Sequence, residues 1–452
     1  MVITASKFDI IIIGSGSAAT TVAFKAVESG KKVAVIDQKP IGGTCALRGC
    51  DPKKILVGVT DALETAKRLT GHGISNLSGQ INWRDLQDFK RSFTEPMSQR
   101  IERGLKKANI QVYKGRARFI DSSKIKINDK ILESDKFLIA SGVKAASLNV
   151  PGSEYLLDNE GFLNLTELPR NIVFIGGGYI SVEFASIARK AGSHATIVQR
   201  SGNLLANFDR EAVDVLTSII RESGIDVITE SRVVEIRKNG DEYLVVIERS
   251  GNRVEINADL VVHGAGREFD SDMGLDLAGI EWNRRGVRVN EYLQSVSNPR
   301  VYAAGDSADT PAPKLTPVAV MEGEVVAENI LKGNSKRADY RAIPTTVFST
   351  PPLAMVGITE DEARKNSSNV TIRKGEMTSW YNSRRRSLPK TFYKVILDSN
   401  GEDILGAHIL GENSEEVINV FSLAIWHALK VSDLRSMPFT YPSDVYDIKY
   451  ML

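Results

Sequence analysis

One structural instruction is written into this chain twice. "FDIIIIGSGSAAT" runs an apolar strand into Gly14-x-Gly16-x-x-Ala19 and a helix, and "KKVAVID" then ends a second strand at Asp37. "NIVFIGGGYISVEFA" repeats the pattern with Gly176-x-Gly178-x-x-Ser181, and "HATIVQR" supplies its second strand. Such glycines, after a strand, can be no more than a turn. Between a strand and a helix they let the backbone approach a pyrophosphate whose charge sits at the helix N-terminus. Two such units predict an α/β chain with two Rossmann-like three-layer dinucleotide-binding domains. The first is discontinuous, 1–149 and 268–336, because "RVYAAGDSA" and the helix "TPVAVMEGEVVAENIL" follow the second domain, 150–267. From Pro344 the strands "FYKVILD" and "ILGAHILG" and the helix "SEEVINVFSLAIWHALK" predict a third, α+β domain over 337–452.

The two units differ at the end of their second strand. The residue 23 positions after the first glycine is Asp37 in one and Gln199 in the other. A carboxylate there accepts hydrogen bonds from a free ribose 2′-hydroxyl, which suits FAD or NAD. A neutral amide followed by Arg200 suits a 2′-phosphate, so the second site leans to NADPH, with NADH possible and a solvated surface charge as the alternative for Arg200. The formal charge of +2 gives no push toward nucleic acid. The run of four isoleucines near the start is too short for a bilayer and lacks a cleavage site, so a cytoplasmic protein with no membrane partner is expected.

The chain has two cysteines, both in "GGTCALRGCDPKK". Two are useless as a disulfide framework. Residues five apart on a regular helix lie roughly 8–9 Å apart, beyond the ~4.4–6.8 Å of a disulfide. A bridge between Cys45 and Cys50 therefore needs a distorted turn, which Gly49 permits. Pro52 favours a helix starting just after it, which would put Cys50 near a helix N-terminus, where a thiolate is favoured. Lys53 and Lys54 add positive charge. The stretch reads as a reactive, exchangeable dithiol, against the alternative of two small buried hydrophobes.

Taken together, these segments resemble the class I pyridine nucleotide–disulfide oxidoreductases, the group of glutathione reductase, dihydrolipoamide dehydrogenase and mercuric reductase. "GGTCALRGCDPKK" is similar to the family's redox-active disulfide segment, "FLIASGVKAASLNVPG" to its crossover and "GGGYISVEFA" to its nicotinamide motif. "VYAAGDSA" is similar to its second flavin contact and "IPTTVFSTPPLAMVGITEDEA" to the opening of its interface domain. The resemblance implies FAD held by Gly14, Gly16, Ala19, Asp37, Gly43, Thr44, Lys54, Gly115, Ala117, Ser141, Gly142, Asp306 and Thr316, with Asp306 reaching the ribityl chain. It implies NAD(P)H against Gly176, Gly178, Ser181, Gln199, Arg200 and Gly266, with Tyr179 as a lid over the nicotinamide pocket. Lys53 and Glu183 would be the pair beside the flavin N5. Cys50 would be the flavin-contacting thiolate and Cys45 the interchange thiol. A homodimer is implied by the interface domain, and no metal cofactor is expected.

The C-terminal segment departs from the family pattern. Where a His-Pro-x-x-x-Glu segment from the partner subunit serves the thiols as acid and base, this chain has "FTYPSDVYD", with Tyr441 for the histidine and Tyr446 for the glutamate. A phenol titrates near 10 and is a poor base at pH 7. His427 is expected as a packed core residue. Asp51 stands where an apolar residue is usual, and its charge would raise thiol pKa unless Lys53 or Lys54 pairs with it. The arginines of "NSRRRSLP" could attract an anionic substrate or the NADPH phosphates, the alternative being a solvated loop. The expected activity is NAD(P)H-dependent transfer through flavin and the Cys45–Cys50 disulfide to a small-molecule acceptor. A disulfide is the first choice. A quinone, a metal ion such as mercuric ion, an oxidant or dihydrolipoamide-type activity are the alternatives.

Overall fold

The computed structural model describes residues 5–366 and 369–452. They divide into two units: residues up to Lys53 with Phe89–Ala146 and Arg267–Tyr340, and Lys54–Asp88 with Ser147–Gly266 and Arg341–Leu452. The segment Lys54–Asp88, expected in the first domain, counts with the second unit. Leu56, Val57, Trp83 and Leu86 bury in one cluster with Phe174 and Phe184.

In the first unit a parallel sheet runs Gln111–Lys114, Val33–Asp37, Ser6–Ile13, Lys130–Ile139, and Val301–Ala303 also pairs with Lys130–Ile139. The isoleucine run explains itself by alternation: Ile11 and Ile13 enter one apolar cluster and Ile10 and Ile12 the other, on opposite faces of the sheet. Helix Ser17–Glu28 presents Ala18, Ala19, Val22, Ala23 and Ala26 to its cluster, small residues that allow a close approach. Helix Thr316–Lys332 packs against it so tightly that a Cβ at Gly323 would stand 2.9 Å from the Ala18 carbonyl oxygen.

The second unit contains a four-stranded parallel sheet, ordered Ile225–Ile228, His194–Val198, Asn171–Ile175, Leu260–His263. It also contains a three-stranded antiparallel sheet, Ser231–Asn239, Glu242–Arg249, Asn252–Ala258. The C-terminal region is a five-stranded antiparallel sheet, ordered Thr345–Val347, Leu353–Gly357, Ile404–Leu410, Phe392–Leu397, Thr371–Glu376, with helix Ser414–Trp426 on it. Lys394, on Phe392–Leu397, is 1% exposed, and its ammonium pairs with Asp209 at 2.8 Å, Glu211 at 2.7 Å and Glu360 at 2.8 Å. His427 is not in the core: it caps helix Ser414–Trp426 at its C-terminal end and is exposed. The helix that suggested burial ends one residue earlier, at Trp426.

Candidate active site

The cysteines sit on either side of a break between two helices, Gly43–Arg48 and Cys50–Arg68. Gly49 makes the break, and a Cβ there would lie 3.1 Å from the Thr44 carbonyl oxygen. The second helix begins at Cys50 itself, two residues before Pro52, as the bond from Lys53 N to Gly49 O at 3.1 Å marks. Pro52 falls in the first turn, where a missing N–H costs nothing. Cys50 is thus the first residue of a helix, exposed, and Cys45 is half-buried; both are free thiols. The Cys50 sulfur lies 3.6 Å from the Thr316 hydroxyl, at the start of helix Thr316–Lys332. Cys50 is pushed down to about 6, chiefly by the hydrogen bond from the Cys45 thiol, then by Thr316 and the Lys53 charge, against the opposing effect of burial. Cys45 is pushed up by the same hydrogen bond, by burial and by the charge it would share with Cys50. The result is one thiolate and one thiol.

Below the pair lies the first glycine crevice. A Cβ at Gly14 (φ +111°) would meet the Ala140 carbonyl oxygen at 2.1 Å, and one at Gly43 (φ +75°) would meet the Gly16 Cα at 2.4 Å. These close backbone approaches need glycine. Asp37 accepts from the Ser15 hydroxyl at 2.6 Å and from Lys39 N at 2.9 Å, and Ser15 Oγ accepts from Gly42 N at 2.9 Å. Ser15, which the spacing alone does not single out, therefore ties the Asp37 carboxylate to the loop that carries the cysteines. Gly115 N donates to the Asp37 carbonyl at 2.9 Å, which brings Gly115 and Ala117 beside that strand end. Ser141 and Gly142 follow Ala140 beside Gly14. Asp306 pairs with Arg267 at 3.3 Å, and its turn is fixed by Gly305 N donating to the buried Glu322 carboxylate at 2.6 Å.

In the second crevice a Cβ at Gly176 (φ +97°) would stand 2.5 Å from the Gly264 carbonyl oxygen. Ser181 is fully buried, and its hydroxyl has no hydrogen-bond partner among the described residues. A Cβ at Gly264 would come within 2.0 Å of that hydroxyl, so the serine fits because its neighbour has no side chain. Gln199 is turned inward: its Oε1 accepts from Gly177 N at 2.9 Å, and its Nε2 donates to Ser201 Oγ and Asn203 O. Arg200 is exposed next to it. Tyr179 bonds to the Thr345 hydroxyl at 3.0 Å and meets Phe208 edge-on, and burial raises its phenol. Glu183 is buried and accepts from Phe348 N at 2.9 Å. Gly266 (φ +108°) closes the strand end after Leu260–His263 with open space around it.

Residues 8–323 match the family described as pyridine nucleotide-disulphide oxidoreductase, and residues 343–447 match its dimerisation domain. The chain belongs to this family. It is therefore an oxidoreductase that works with FAD and a pyridine nucleotide. It is 32% identical over 432 residues to a mercuric reductase of Staphylococcus aureus, an alignment covering 94% of this chain and 78% of that one. A glutathione reductase of Nostoc sp. is 30% identical, with 98% and 99% covered. Among solved structures it is similar to the Cu(II) complex of the HOCl-induced flavoprotein disulfide reductase RclA from Escherichia coli, with TM-score 0.88, 27% identity and 99% of each chain covered.

The crevices fit the cofactors of the family. Helices Ser17–Glu28 and Tyr179–Lys190 have no side-chain cap and no acidic residue in their first turns, leaving N-termini open to a pyrophosphate. The resemblance puts Lys54 among the FAD residues. It counts with the second unit, where its ammonium pairs with Glu415 at 3.1 Å and lies 3.9 Å over the Phe348 ring. Tyr441 is exposed and meets Tyr446 edge-on at 4.9 Å. Its loop is clamped by Arg386, which donates to both Asp444 oxygens at 2.8 and 2.7 Å, and by Asn382, which donates to Ser443 O at 3.0 Å. Arg386 is thus committed to the fold, whereas Arg384 and Arg385 stay exposed.

One prediction follows from the thiolate. In the reduced protein, ultraviolet thiolate absorbance should titrate with a midpoint near the value of about 6 given by Cys50. Thr316→Val removes a donor to the charged sulfur and should raise that midpoint by about one pH unit. An unmoved midpoint would show that the hydroxyl does not serve Cys50.

Proposed function

We propose that the protein is an NADPH-preferring flavoprotein reductase of disulfides, acting as a homodimer in the cytoplasm. The observation that carries this reading is the division of labour in the thiol pair, with Cys50 held as thiolate at a helix start and Cys45 holding its proton. The match to the dimerisation domain supports the homodimer. Arg200, and an amide in place of a carboxylate at Gln199, support NADPH.

Bound FAD, held by Gly14, Gly16, Asp37 and Gly43, would supply the acceptor for the nicotinamide hydride. The protein's own steps are sulfur chemistry. Cys45 attacks one sulfur of the acceptor disulfide as it gives up its proton, forming a mixed disulfide and expelling one thiolate, which takes up that proton. The Cys50 thiolate then attacks the Cys45 sulfur, closing the Cys45–Cys50 bond and expelling the second thiolate; both leave as thiols after taking up protons. Tyr441 would donate to the departing thiolate, a role open to a phenol that is a poor base at pH 7. That asymmetry favours disulfide reduction over the dithiol oxidation of a dihydrolipoamide dehydrogenase. The glutathione reductase likeness makes oxidised glutathione a natural first acceptor to try. The phenol also favours a second reading, in which the acceptor is a thiophilic metal ion, a quinone or an oxidant that needs no acid–base residue. The mercuric reductase and RclA likenesses support it.

The test is steady-state turnover with NADPH and NADH against oxidised glutathione, a neutral disulfide, a quinone and mercuric ion. The expected result is NADPH-driven disulfide reduction that Tyr441→Phe slows by about tenfold or more. Disulfide turnover untouched by Tyr441→Phe would remove that residue from the chemistry. Turnover with quinone or metal ion but with no disulfide would replace the first reading by the second.

A further inference from the structure

Asp51 is the unusual residue in the dithiol segment, and the fold places it at the interchange sulfur. It lies in the first turn of helix Cys50–Arg68, exposed, and its Oδ1 stands 3.9 Å from the Cys45 sulfur. The positive charges of the same segment are engaged elsewhere. Lys54 pairs with Glu415, Arg48 reaches the Pro40 carbonyl at 3.5 Å, and Lys53 acts on Cys50. A sulfur bonded to Cys45 stands about 2 Å from it, so every acceptor must react within about 6 Å of a carboxylate that no acceptor can avoid.

We propose that Asp51 is a specificity-determining residue, a charge filter that makes Cys45 react with neutral or cationic acceptors in preference to anionic ones. This deepens the disulfide-reductase reading and rests on its assignment of Cys45 as the interchange thiol. A unit charge about 6 Å away in water is worth about threefold in rate, and salt screens it. Asp51 also helps Cys45 keep its proton, since its charge opposes a second anion there. That effect is shared by all electrophiles and cancels in a ratio between them.

The test uses reduced holoenzyme, wild type and Asp51→Asn, with Cys45 alkylated by anionic iodoacetate or neutral iodoacetamide and the site mapped by peptide mass. The iodoacetate-to-iodoacetamide rate ratio should rise about threefold in Asp51→Asn at low salt, and the gain should shrink toward one at high salt. Asp51→Glu should keep the wild-type ratio. In turnover, the preference for cystamine, a dication, over oxidised glutathione, an anion, should fall by at least the same factor. A ratio unchanged by Asp51→Asn, or a change insensitive to salt, overturns the proposal. If wild type reduces neither disulfide, the disulfide-reductase reading fails while the alkylation ratio still decides the role of Asp51.

Discussion

Cys45→Ser should abolish disulfide reduction, lowering it on the order of 10⁴-fold or more, while NAD(P)H still reduces the bound flavin. A serine hydroxyl gives up its proton far less readily than a thiol, and an alkoxide cannot be exchanged against a disulfide sulfur. The contacts of the first glycine crevice at Gly14, Gly16, Asp37 and Gly43 are made by backbone and by Ser15, without the Cys45 side chain. The companion change, Cys50→Ser, should fail differently. Cys45 can still attack, but nothing closes the ring, so a mixed disulfide accumulates and adds the mass of half the acceptor. Stopped-flow absorbance of the flavin and intact-mass spectrometry read these outcomes separately. Sustained disulfide turnover in Cys45→Ser would mean that electrons leave by a route that avoids the pair. Quinone turnover unaffected by the change would assign that acceptor to direct transfer from flavin.

The largest effect on stability is expected from Lys394→Met, about 3–5 kcal/mol in urea unfolding. Lys394 is 1% exposed, and so is nearly all of Asp209 hidden, at 3%. Burial works against the ammonium, but Asp209, Glu211 and Glu360 outweigh it and hold its pKa above the usual range. Methionine fills the volume yet leaves three carboxylates facing one another, Asp209 with no exposure to water that could relieve it. Glu360 is held down chiefly by its bond to Lys394, and Glu211 by Lys374 and then Lys394. Depressed carboxylates stabilise the fold above their ordinary range near pH 4.3, and that contribution is lost as pH falls through their lower folded values. A raised lysine stabilises below its ordinary value near 10.4, and that contribution is lost as pH rises through the folded value. The gap between wild type and Lys394→Met should therefore be widest between about pH 5 and 10 and should close in acid. A gap that stays constant down to pH 3 (roughly a unit below the ordinary carboxylate range) would refute the charge assignment.

How far the sequence alone could reach depends on whether a feature is local. The strand–glycine–helix units were legible because the turn, the helix start and the carboxylate at Asp37 are fixed by spacing along one short segment. The start of a helix at the second cysteine was nearly so, displaced by two residues because Pro52 is tolerated within a first turn as well as before one. What the sequence hid was made by residues far apart in it. Ser15 gains its role from Asp37 and Gly42 N together, Thr316 from Cys50, and Gln199 from the Gly177 turn it holds. The arginine run offered a charge pattern, but its buried member is spoken for by Asp444, some sixty residues downstream. Lys54 pairs with Glu415, a partner so far downstream that no local spacing signals it. Lys394 is an ordinary strand residue until its three partners are seen.

Ser181 and Gly264 share a single volume, since a methyl on one would overlap the hydroxyl of the other. The two positions cannot drift independently. A descendant of this chain could accept alanine at 264 only after the Ser181 hydroxyl had gone, as in alanine or glycine at 181, so the order of those two steps is imposed by space.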